Sequence, residues 1–171
     1  MHKLISSLVV AAGLTCAPAF AAIDNYFAAL LGANEVGAGD VDGFGAALVS
    51  IDNVANTITW AIMVQNIDLP IAAAHIHQGP AGANGPVRVD FSGQLTGENL
   101  FDADLAGITP TTATDWYVNV HNAAYPGGAI RGQLTYVGTV SPPIPEPGTY
   151  ALMLAGLGAI GLYARRRAER S

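Results

Sequence analysis

The chain has 171 residues, of which 51% are hydrophobic and 12% charged, and a formal net charge of −6. That acidic balance repels phosphate backbones and excludes nucleic acid as a partner. With four histidines and a single cysteine, few side chains are available to hold a metal or act as a nucleophile.

Residues 1–22 have the layout of a secretory signal: Lys3 in a basic start, an apolar run over 4–14, then Ala19-Phe20-Ala21. A signal peptidase cut after Ala21 or Ala22 removes Cys16, so the mature domain is expected to fold without disulfides. Gly13-Leu14-Thr15 ahead of Cys16 is a poor fit to a lipidation signal. Between residues 23 and 144, nine Asp and two Glu oppose only Arg88 and Arg131, a net charge of −9. Such a surface suits solubility outside the cell.

Strands are predicted over 26–31, 44–51 and 57–65; the turn chemistry of Asp52-Asn53-Val54-Ala55-Asn56 joins the last two into a hairpin. A strand over 72–77 runs into the glycine/proline stretch 79–86 and returns over 87–91, which alternates apolar and charged residues. Residues 92–114 are polar, with a short strand near 93–96 and a helical turn over 100–105. Strands over 115–121 and 129–137 complete the set. Short strands at this spacing predict an all-β domain over 23–140, an antiparallel Greek-key-like sandwich or barrel. Residues 141–148 form a proline-rich linker. Residues 149–164 carry no charge and are expected to form a transmembrane helix, although 16 residues fall short of the roughly 20 that span a bilayer. Arg165, Arg166 and Arg167 act as a stop-transfer cluster that keeps the 165–171 tail cytoplasmic. A buried core helix is the alternative.

His75 and His77 are two residues apart, so on an extended chain they share one face. His121 shares a face with Tyr117 and Asn119 on the 115–121 strand. Three imidazoles plus a water or carboxylate suit Zn²⁺ or Cu²⁺. The competing expectation is structural: His75 and His77 hydrogen-bond the glycine loop, with Asn119 and His121 doing the same opposite them. Arg131 is expected to pair with Asp90 or Glu35, or to clamp backbone carbonyls. Glu35, beside Asn34, is an alternative cation ligand. Asp40, Asp42 and Gly43 resemble the start of a Ca²⁺ loop but lack its closing Glu. No Gly-x-Ser-x-Gly occurs, and the cysteine leaves with the signal, so no nucleophile is supported and the chain reads as non-enzymatic.

Two resemblances follow from these motifs. Pro145-Glu146-Pro147, the apolar segment and the arginine cluster together resemble the PEP-CTERM sorting signal. That resemblance implies an exosortase as partner, transient residence at the inner membrane with the domain outside, then release to the cell surface or a biofilm matrix where exopolysaccharide is a candidate partner. Leu31-Gly32-Ala33-Asn34-Glu35-Val36, Ala74-His75-Ile76-His77-Gln78-Gly79-Pro80, Gly85-Pro86-Val87, Tyr117-Val118-Asn119-Val120-His121 and Gly127-Gly128-Ala129-Ile130-Arg131-Gly132-Gln133-Leu134 are similar to the CHRD domain. The family often has prolines where this chain has Gly37 and Ala38, and Thr and Glu where it has Asn122 and Ala129. The resemblance implies a β-sandwich or barrel module of extracellular proteins, used for binding or structure. Copper/zinc superoxide dismutase also begins its site with His-x-His on a β-strand, but it needs more histidines than this chain has.

Overall fold

A computed structural model describes residues 22–141 and 147–169. The signal-peptide reading of 1–22 falls almost wholly outside these residues. Nine strands are formed: β1 (Ile23–Leu31), β2 (Phe44–Asp52), β3 (Thr57–Gln65), β4 (Ile71–Gln78), β5 (Val87–Asp90), β6 (Thr96–Phe101), β7 (Trp116–Asn122), β8 (Ile130–Gln133) and β9 (Thr135–Val140). One helix, α1 (Pro147–Ala168), follows. The β2–β3 hairpin pairs nine residues on each side. Its turn closes as its sequence dictates: the Asp52 carboxylate accepts from the Val54 and Ala55 amides, and Asn56 takes a φ of 51°.

All strands pair antiparallel in a single sheet of order β5-β4-β7-β8-β1-β2-β3-β6, with β9 also on β1. Alternation puts Tyr26, Ala28 and Leu30 of β1, Val49 and Ile51 of β2, Ile58 and Trp60 of β3, Ile76 of β4 and Val118 and Val120 of β7 into one core. Burying each large aliphatic side chain contributes about 1.5–3 kcal/mol. Trp60 stacks on Phe91 with ring centroids 4.3 Å apart.

The expected sandwich or closed barrel does not form. The sheet curls into a half-barrel, and its edge strands β5 and β6 do not pair with each other. The segment between β6 and β7 instead sends Leu105, Ile108 and Ala113 into the core, so apolar side chains rather than strand pairing cover the concave side. The strand predicted over 129–137 is divided at Leu134, whose amide turns to the Trp116 carbonyl. Its two parts keep one register on β1, since Leu31 faces Arg131 and Phe27 faces Thr135. The short strand expected near 93–96 forms later, as β6, and the helical turn expected over 100–105 begins later, at Ala103–Gly107.

The transmembrane helix expected over 149–164 is also corrected. Among the described residues, no helix is long and apolar enough to cross a membrane. Sixteen uncharged residues make about 24 Å of helix, against about 30 Å of hydrocarbon. Gly156, Gly158 and Gly161 dilute the apolar surface further, and Arg165, Arg166 and Arg167 occupy the last turn. Arg165 donates to Glu169 at 3.0 Å rather than standing alone.

Candidate metal centre

Strands β4, β7 and β8 lie side by side, and their registers gather the polar candidates on the face turned away from the core. His75 faces Asn119 and His77 faces Tyr117 across β4 and β7; Asn119 faces Arg131 and Tyr117 faces Gln133 across β7 and β8. His121 faces Ala73, one step along the same face from His75. Such a second face is ordinarily wet, yet all seven residues of β7 are buried. The 79–86 loop folds back over it, and the loop carrying Pro126 covers the His121 end.

One nitrogen from each of His75, His77 and His121 lies within 4.8 Å of the others. The second nitrogen of each ring has an anchor. His77 Nδ1 is 3.0 Å from the Gly85 carbonyl, His121 Nδ1 is 3.1 Å from the Pro126 carbonyl, and His75 Nε2 is 3.5 Å from Asp90 Oδ1. A carbonyl oxygen only accepts, so the ring nitrogens of His77 and His121 that face one carry the proton. On neutral rings this leaves lone pairs on His77 Nε2 and His121 Nε2, and the His75 tautomer with its proton toward Asp90 would add a third at Nδ1. His77 Nε2 is buried with no hydrogen-bond partner. His75 Nδ1 and His121 Nε2 face each other at 3.3 Å. A proton on His75 Nδ1 donates to the His121 Nε2 lone pair in the metal-free rings, and a metal ion would take that proton's place.

Burial is the main force holding His77 below the ordinary imidazole pKa; His75 and Arg131 add to it, against the Gly85 carbonyl. Burial, then His75 and His77, push His121 down to about 4, against the Pro126 carbonyl. Both rings are therefore neutral near pH 7, the form a metal takes. Two imidazoles with their outer N–H groups fixed by carbonyls, and a third with a carboxylate 3.5 Å from its outer nitrogen, follow the outer-shell pattern of metal-binding histidines. Nitrogen donors without a thiolate fit Zn²⁺ or Cu²⁺.

Arg131 is 1% exposed and makes no ion pair among the described residues. Of the two expected modes it takes the carbonyl clamp: Nη1 and Nη2 donate to Ala83 O at 3.2 and 3.1 Å, and Nη2 to Pro80 O at 3.4 Å. Its guanidinium lies 3.6 Å from the Tyr117 ring centroid, and Tyr117 stacks on His77 at 4.9 Å. The Tyr117 hydroxyl accepts from the Gly85 amide, and Gln133 donates to Gly79 O. A guanidinium–phenol–imidazole column thus pins the loop whose carbonyl orients His77.

A protein-family model of the CHRD domain matches residues 26–134, well over half of the chain. The chain belongs to the CHRD family. No curated protein and no solved structure matches it. A second model, the PEP-CTERM protein-sorting motif, matches residues 143–167. That motif marks an exported protein processed by exosortase, a membrane enzyme. Of the sorting residues, Pro145 and Glu146 lie outside the described residues, while Pro147 opens α1.

Within the CHRD domain, Glu35 and Asn119 meet beside Gly128, where a side chain would collide with both. Glu35 Oε1 and Asn119 Oδ1 are buried and unpartnered. Burial raises the Glu35 carboxyl to about 7, against the pull of Arg131 and Asn119. Glu35 and Arg131 also line a cleft of about 440 Å³ with Asn34, Ala81, Gly82 and Gln133, apart from the histidines. Sequence reasoning missed Tyr117 and Gln133 as loop anchors, although both belong to the polar face by simple alternation. Of the two carboxylates offered as partners for Arg131, Asp90 is set opposite His75 by the β4–β5 register.

Proposed function

We propose that this exported, exosortase-sorted CHRD domain is a non-enzymatic binding module that holds one divalent transition-metal ion, Zn²⁺ or Cu²⁺, through His75, His77 and His121 outside the cytoplasm. The observation that carries the reading is the convergence of three ring nitrogens within 4.8 Å, each ring held by an acceptor at its other nitrogen. Neither family match indicates catalysis.

A second reading has its own support. The hydrogen bonds from His77 to Gly85 O and from His121 to Pro126 O make the rings latches for two loops. On that reading the domain serves the cell envelope or an exopolysaccharide matrix without a metal. Calorimetric titration of the purified chain with Zn²⁺ and Cu²⁺ separates the two. One equivalent is expected to bind, and His77→Ala is expected to weaken binding at least a hundredfold. Equal affinity in His77→Ala and the parent chain would leave only the latch.

A further inference from the structure

The outer face of β1, β2 and β3 is apolar and bare. Phe27, Leu31, Phe44, Leu48 and Met63 are between 39% and 61% exposed with α1 in place. The registers order them in rows: Phe27–Leu48–Ala61, then Ala29–Ala46–Met63, then Leu31–Phe44–Gln65. None of these nine positions carries a charge, whereas the domain as a whole carries −9.

We infer that this face is where a second copy of the chain docks, sheet against sheet, about a two-fold axis. Three observations select that occupant. First, the bulky pair Phe27/Leu48 and the bulky pair Leu31/Phe44 flank a hollow floored by Ala29 and Ala46. A copy displaced by one row sets a ridge into that hollow, and the symmetry returns the fit. Second, charge forbids other approaches: two bodies of −9 repel on every acidic surface and meet at least cost on the uncharged one. A bilayer surface fits poorly, since the face offers no Lys, Arg, Trp or Tyr to the headgroups. Third, the three rows across three strands at about 4.8 Å spacing present roughly 300 Å² of sheet per copy, so a pair buries roughly 600 Å². That is the size of a weak, reversible contact and describes a transient dimer.

The test is cross-linking of the full chain in intact cells that export it, in a Cys16→Ser background that leaves no other thiol. Ala46→Cys is expected to give a covalent dimer with a short bis-maleimide, whereas Val54→Cys, exposed in the β2–β3 turn and off the face, is expected to stay monomeric. Adding Leu48→Glu, an exposed position whose change spares the fold, is expected to cut the Ala46→Cys dimer more than tenfold, because it sets a charge in an apolar contact. Circular dichroism of the same variant checks the fold. Monomeric Ala46→Cys, whether its thiol is open to solvent or shielded by lipid or another protein, overturns the proposal. So does a dimer that survives Leu48→Glu.

Discussion

Asp90 reaches His75 because β5 returns along β4 with His75 opposite Asp90. A carboxylate on the outer nitrogen fixes the ring and raises its donor strength toward a metal. Asp90→Asn keeps an acceptor but removes the charge. It is expected to weaken metal binding about tenfold, the modest end of outer-shell effects, because Asp90 is largely solvated. Competition calorimetry reads that change. Glu35 acts in the opposite sense. Its carboxyl is raised to about 7 in the fold from an ordinary value of 4.5. The native state therefore binds more protons than the unfolded chain between those values, and stability falls as pH rises through that window. Glu35→Gln removes this dependence and keeps an amide oxygen to accept from the Asn119 side chain. Its melting temperature is expected to exceed that of the parent at pH 8 and to converge with it near pH 4, as thermal unfolding followed by circular dichroism would reveal.

At the scale of elements, the 79–86 loop has no apolar anchor of its own and depends on polar groups rooted in β4, β7 and β8. Gly85 is required where it passes Gln78, since a Cβ there would strike the Gln78 carbonyl. Replacing Arg131 by Leu removes the charged donors from the part-buried carbonyls of Ala83 and Pro80 and leaves a smaller side chain, at a cost of roughly 3 kcal/mol. Hydrogen exchange should show the Gly85 amide, now held by Tyr117, losing protection before the β2–β3 hairpin does. These elements were unequally legible in the sequence. β3 is rich in β-branched and aromatic residues and was placed to the residue. β6, Thr-Gly-Glu-Asn-Leu-Phe, has little strand chemistry, and Asn99 takes a φ of 57°. Pairing with β3 makes it a strand, which no local pattern reveals. The shared face of His75 and His77 follows from a period of two. That β7 meets β4 depends on a contact 46 residues apart in sequence, and the neighbours Asp90 and Tyr117 depend on register.

For the whole molecule, length and alternation were enough to call an antiparallel β domain, but not how far the sheet closes, and the C-terminal helix expected to span a membrane is not long and apolar enough to do so. Closure depends on whether β5 and β6 pair, and the 102–115 segment fills the core without that pairing. The half-barrel leaves one outer region loop-covered and polar, with the histidines inside, and one bare and apolar. The central claim concerns the first of these. X-ray absorption at the zinc edge, on the full chain loaded with one equivalent of Zn²⁺, tests it most directly. Three imidazole nitrogens near 2.0–2.1 Å are expected. An oxygen-only shell, or a spectrum unchanged by His121→Ala, would contradict the account.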